Sequence, residues 1–82
     1  MRFGFHSGVD IFNEADRLQV IAELPGVKED EISVFVQGST LNIDAGKGER
    51  KVRQSIDLDI PVKGKPKTHY RNGILEINLA KA

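Results

Sequence analysis

The sequence contains no cysteine, which removes disulfides, thiolate metal centres, iron–sulfur clusters and thiol nucleophiles together. That absence fits a reducing compartment, so a cytoplasmic location is expected. An excess of charge is also missing: 12 Lys and Arg balance 12 Asp and Glu. No general field is left to gather nucleic acid or an anionic membrane. No apolar run approaches the ~20 residues needed to cross a bilayer, and the opening MRFGFHSG has no apolar signal-peptide core. Neither nucleic acid nor membrane is therefore expected as a partner. Tryptophan is absent and only 1 Tyr and 4 Phe are present, so the interior must be aliphatic. Helical periodicity is lacking as well, since no capped window repeats apolar residues at i, i+3, i+4 and i+7.

What the chain does contain is alternation. Leu18, Val20, Ala22 and Leu24 alternate with Arg17, Gln19, Ile21 and Glu23, the period of two that puts one face of a strand against a core. Pro25 and Gly26 end that strand with a turn. Ile32, Val34 and Val36 begin the next one after the charged connection Lys28–Glu31, and Leu41, Ile43 and Ala45 form a third. Only Gly38 and Ser39 separate these two, so they pair as a hairpin. Ile56, Leu58 and Ile60 form a further strand that could start as early as Val52, with Gln54 interrupting its inward face and Pro61 closing it. The run 63–67 is rich in Lys, Gly and Pro and reads as a loop. Thr68 to Arg71, Asn72-Gly73 and Ile74 to Ala80 make the clearest hairpin, because Asn-Gly tolerates the two positive φ angles of a type I′ turn.

Six or seven such strands in 82 residues predict an all-β, antiparallel β-sandwich with one core. Residues 1–8 read as a short arm and 9–82 as the sandwich domain. The inward positions are those named above together with Ile11, Leu75, Ile77 and Leu79. Nothing in the pattern marks an internal small-molecule pocket.

Catalytic chemistry has little to stand on. His6 and His69 lie far apart in sequence, with no HExxH, P-loop or G-x-S-x-G nearby. Gly46 and Gly48 are not followed by a helix and so cannot cradle a phosphate. Glu29, Asp30 and Glu31 lack the alternate spacing of a calcium loop. No enzyme activity, cofactor or metal is expected. Charge is unevenly distributed: residues 1–41 hold 3 basic and 7 acidic side chains, residues 42–82 hold 9 and 5. Lys47, Arg50, Lys51 and Arg53, with Lys63, Lys65 and Lys67, are candidates for a basic patch, but only Tyr70 lies near enough in sequence to stack on a base, and a single-strand platform normally uses several aromatics.

The run Ile21-Ala-Glu-Leu24-Pro25-Gly26-Val27, followed by Lys28-Glu-Asp-Glu31-Ile32-Ser-Val34, resembles the alpha-crystallin domain of small heat-shock proteins. Three further pieces match in order: Gly38 with Leu41-Asn-Ile43, the strand ending Asp59-Ile60-Pro61, and Tyr70-Arg71-Asn72-Gly73-Ile74-Leu75-Glu-Ile77. Together they span nearly everything from Val9 to Lys81. The resemblance implies an immunoglobulin-like sandwich, a chaperone that holds unfolding proteins without ATP, non-native client proteins as partners, and self-association as a dimer. Two departures stand beside it. The connection Gly46–Lys51 is too short for the long loop and extra strand that bacterial and archaeal members exchange with a partner subunit, and the chain stops at Ala80-Lys81-Ala82 without the family's isoleucine-x-isoleucine/valine tail. Large oligomers are accordingly not expected of this chain, and an adaptor resembling the CS domains, docking on one folded partner, stays open as an alternative.

In the resemblance, the strand Ile32 to Gln37 and the strand before Asn72 border a groove that accepts an extended segment of another chain. Val34, Val36, Thr68 and Tyr70 are the candidate residues there, with Val34 and Val36 more readily read as core. Phe3 and Phe5 of the arm are candidates either for docking on their own sheet or for contacts with clients or other subunits.

Overall fold

The computed structural model describes residues 8–82 of the chain. It holds seven strands: β1 (Val9–Asn13), β2 (Arg17–Glu23), β3 (Ile32–Gln37), β4 (Thr40–Ala45), β5 (Val52–Asp57), β6 (Val62–Arg71) and β7 (Ile74–Lys81). Two single turns of 3-10 helix, Glu29–Glu31 and Gly48–Arg50, occupy connections. Among the described residues no helix is long and apolar enough to cross a membrane.

The strands form two antiparallel sheets, one ordered β1-β2-β7-β6 and the other β3-β4-β5. Their inner faces interdigitate as expected of a sandwich. Leu18, Val20 and Ala22 of β2 lie opposite Leu79, Ile77 and Leu75 of β7, so the alternation in the two strands reaches the same face in register. Leu41 and Ile43 of β4 supply the opposing layer, and Ile56 and Leu58 complete the cluster. Val20, Leu41 and Ile77 have no exposed surface at all. Burying an aliphatic side chain of this size stabilises the fold by roughly 1.5–3 kcal/mol.

The all-β sandwich and its seven strands agree with the alternation, and four details differ from it. First, residues 63–67 belong to β6 rather than to a loop. Pairing with β7 jumps from Lys63↔Ala80 to Lys67↔Asn78, so Gly64, Lys65 and Pro66 are taken up in a bulge. β6 is an outermost strand, where Pro and Gly are tolerated because no neighbour needs the missing N–H. Second, β5 ends at Asp57, before Leu58 and Ile60. Asp59 adopts φ +67, and its N–H donates to Asp57 Oδ1 at 3.1 Å, an Asx turn that breaks the ladder ahead of Pro61. Leu58 is nevertheless buried, held by its N–H to the Ser39 carbonyl at 2.8 Å. Third, Ile11 shares the inner face of β1 with its partner Val20, yet 43% of it is exposed. β1 is the outer strand of the four-stranded sheet, flanked on one side only. Fourth, the charged connection after Lys28 is a tight turn, closed by Glu31 Oε1 accepting the Lys28 N–H at 3.2 Å.

The Asn72-Gly73 turn forms as the sequence predicts, with φ +53 and +80. It also reaches across to the Pro25-Gly26 turn: the Gly73 carbonyl accepts the Leu24 N–H at 2.7 Å. The six residues Gly46–Lys51 join β4 to β5, which are hydrogen-bonded neighbours from Ala45↔Val52 to Thr40↔Asp57.

Candidate functional site

The two sheets come together at one side of the sandwich through β3 and β6. Each is the last strand of its sheet, so each keeps one row of backbone N–H and C=O groups with no strand beside it. Between them runs a narrow groove of about 140 Å³, lined by Glu29, Ile32, Val34, Pro66, Thr68, Tyr70 and Leu75. Val34, Thr68 and Tyr70, named from the sequence, therefore meet in one place. Val36, one alternate position further along β3, is half-buried against the core and is not part of the lining. Phe3 and Phe5 lie outside the described residues.

Four lining residues lie outside the set that the sequence points to. Glu29 belongs to the charged connection, Ile32 alternates with the interior positions, Pro66 sits in the run that reads as a loop, and Leu75 is a fully buried core residue that forms the floor. A register argument could have found Pro66: it lies two positions before Thr68, hence on the same face once 63–67 is read as strand.

Tyr70 has a second role that its position alone did not disclose. Its hydroxyl lies 2.6 Å from the Leu24 carbonyl and 3.0 Å from the Val27 carbonyl. A phenol has one proton to donate, so the two acceptors share it, with the shorter contact at Leu24. The ring faces the groove while the hydroxyl ties down the Leu24-Pro25-Gly26-Val27 turn.

The outer face of the three-stranded sheet is polar but ordered. Arg53 donates from Nε to Asp44 Oδ1 at 2.6 Å and from Nη2 to Oδ2 at 3.0 Å, a bidentate pair. Its guanidinium also lies over the Phe35 ring, 5.6 Å from the centroid. The hydrogen bonds from Arg53 hold the Asp44 carboxyl below its ordinary range, against desolvation, which acts in the opposite sense. Asn42 beside it accepts a hydrogen bond from Ser55 Oγ at 2.8 Å. Among the described residues no group of three His, Asp or Glu side chains could hold a metal ion.

A larger open cavity of about 710 Å³ lies at the end of the sandwich bounded by the Leu24–Lys28 turn and the start of β5. Leu24, Val27, Ile43, Ala45 and Val52 give it an apolar wall, and nothing in the alternation pointed to it. Gln54, opposite Ile43 on the inner face, also lines it; its Oε1 is buried without a hydrogen-bond partner.

The fold is thus an immunoglobulin-like sandwich whose open edges flank a groove of mixed polar and apolar lining. No protein-family model matches the chain, and no curated protein matches it in sequence. Solved structures do. A point mutant of hsp14.1 from Sulfolobus aligns with a TM-score of 0.81 at 27% identity, covering 90% of this chain and 70% of that one. HspA from Xanthomonas axonopodis aligns with a TM-score of 0.77 at 26% identity, covering 89% and 90%. Heat shock protein 16.0 from Schizosaccharomyces pombe shares the fold with a TM-score of 0.77 at 22% identity, over 89% and 84%. The chain thus has the fold of the small heat-shock proteins with which it aligns, and the link between its β4 and β5 is six residues long.

Proposed function

We propose that this protein is a holdase: it captures extended apolar segments of unfolding proteins, without nucleotide, in the groove between β3 and β6. The observation that carries the reading is the coincidence of two unpaired strand edges with a groove between them in which Ile32, Val34, Pro66 and the Tyr70 ring stand beside the polar Glu29 and Thr68. An unfolding protein exposes the complementary features, apolar side chains at alternate positions and a backbone whose hydrogen bonds have been lost. A segment laid in the groove recovers backbone hydrogen bonds at an edge and places every second side chain against Val34, Pro66, Thr68 and Tyr70. The groove is short and shallow, so each capture is weak and reversible, which suits a protein that must release its clients. Likeness in fold to small heat-shock proteins supports the same reading. Phe3 and Phe5 add apolar contacts from the arm. A monomer or dimer in the cytoplasm is the working form.

Light scattering from a heated, aggregation-prone enzyme tests this directly. At equimolar ratio and without ATP the protein suppresses the rise, and Thr68→Arg, at an exposed position on the groove wall, removes the suppression while leaving the fold intact. No protection by the folded wild type would overturn the holdase reading. Recovery of one stoichiometric folded partner from lysate, in place of a mixture that grows on heating, would point to the adaptor instead.

A further inference from the structure

β6 alternates two chemistries along its length. Pro66, Thr68 and Tyr70 line the groove, whereas Lys63, Lys65, Lys67, His69 and Arg71 are all exposed. Lys67, His69 and Arg71 lie opposite Asn78, Glu76 and Ile74 of β7, which alternate with the buried Leu75, Ile77 and Leu79. They therefore stand on the outer face of the sheet. A single edge strand thus carries four exposed cationic side chains beside the groove, Lys63, Lys67 and Arg71 on the outer face by register and Lys65 in the bulge, with no ion-pair partner among the described residues. The one acid on this part of the face, Glu76, is already engaged by Gln19 Nε2 at 2.6 Å and Asn78 Nδ2 at 3.3 Å. The chain as a whole is neutral, so the concentration of charge on one edge is local.

We propose that the segment taken up beside β6 is an acidic one: an extended polypeptide with apolar residues at alternate positions facing the groove and Asp or Glu at the intervening positions facing Lys63, Lys65, Lys67 and Arg71. This rests on the groove being the binding site, and adds which sequences it selects. The geometry is that of strand addition. Alternate residues on any strand are about 6.6 Å apart, so an added strand brings its second set of side chains into register with the basic row, where opposite charges on neighbouring strands stabilise pairing. The same row repels basic segments, which turns a general affinity for apolar strands into a choice between them. A nucleic acid fits less well, because the outward positions of β6 and β7 offer no Phe, Tyr or Trp for base stacking, and the row adjoins an apolar groove that a phosphate backbone would leave empty.

Three synthetic peptides test it, each with Val at alternate positions and with Glu, Ser or Lys between, titrated against the full chain by fluorescence anisotropy. Near 20 mM salt the Glu peptide binds about tenfold tighter than the Ser peptide, and the Lys peptide more weakly than either. The difference collapses at about 0.5 M salt, where the screening length falls to a few ångströms. In the triple variant Lys63→Ser, Lys65→Ser, Lys67→Ser, which changes only exposed side chains, the Glu peptide falls to the Ser peptide's affinity and the Ser peptide is unaffected. Equal binding of the Glu and Ser peptides to the wild type refutes the charge selection while the groove survives. Failure of all three peptides to bind the folded protein refutes the groove and the selection with it. A single-stranded oligonucleotide that outcompetes the Glu peptide, and loses that ability in the triple variant, assigns the row to nucleic acid and overturns the proposal.

Discussion

Replacing Tyr70 by Phe separates the two tasks of one side chain. The ring that lines the groove remains, and only the oxygen that holds the Leu24 and Val27 carbonyls at 2.6 and 3.0 Å is lost. Because a single proton is shared, the loss is that of one good hydrogen bond rather than two. A net bond of this kind stabilises by roughly 0.5–1.5 kcal/mol, and the cost rises where the abandoned acceptor stays dry. Tyr70 is half-buried and the Leu24–Val27 turn borders an open cavity that water can enter, so the carbonyls are partly rehydrated and the expected loss is about 1 kcal/mol. For a domain of this size that corresponds to a fall in Tm of about 4–8 °C. Differential scanning calorimetry gives the shift, and urea titration should show a lower midpoint at unchanged slope, since the native surface is the same. Below the variant's Tm, suppression of client aggregation should match the wild type. An unchanged Tm would refute the view that this hydroxyl anchors the turn. A fall in client protection at a temperature where the variant is fully folded would refute the separation of ring from hydroxyl.

Other perturbations follow from the same geometry. The Asp44 carboxyl is held below its unfolded range by Arg53, so the pair's contribution is complete above about pH 4 and is lost as pH falls through the folded value. In Arg53→Met, acid unfolding followed by circular dichroism should therefore begin at higher pH than in the wild type, and coincident acid limbs would contradict this. Gly73 has φ +80, with the Pro25 Cα 3.5 Å from where a Cβ would stand. The space is ordinary but the backbone is not, so Gly73→Ala should cost about 1–2 kcal/mol in chemical denaturation. Ile77→Val, at a position with no exposed surface, should cost about 1 kcal/mol for the missing methyl group. With only Gly46–Lys51 between β4 and β5, light scattering should return the mass of one or two chains, and a mass of a dozen or more would contradict it.

Alternation made the core legible because a period of two leaves little choice once one face must be dry. Leu18, Val20 and Ala22 could be assigned without knowing their partners, and Leu75, Ile77 and Leu79 likewise. What the period cannot report is how far the opposite layer extends. Ile11 alternates correctly and faces the correct side, yet remains 43% exposed on the outermost strand of its sheet. Local composition misled at 63–67, where Gly and Pro mark a loop in most settings and a bulged edge strand in this one. The same reading leaves Lys63, Lys65 and Lys67 as a candidate patch without a direction, since lysines in a loop have no common face and those paired on a strand do. At the site, Val34, Thr68 and Tyr70 were reached through resemblance rather than pattern. The dual use of Tyr70 was invisible because its acceptors lie 46 and 43 residues away in the chain.

Sheet order also shapes how the molecule comes into being. The three-stranded layer is assembled wholly from consecutive strands between Ile32 and Asp57, and β1 with β2 and β6 with β7 are neighbours in sequence as well. Among the strand pairings, only the seam of β2 with β7 joins distant segments, its Gln19 to Glu76 contact closing 57 residues. Closing so long a stretch is entropically costly before any contact rewards it, so this seam sets the folding rate. A nascent chain emerging from the ribosome keeps Leu18, Val20 and Ala22 uncovered until its last strand is free, and for that interval the protein is itself in need of shelter from aggregation.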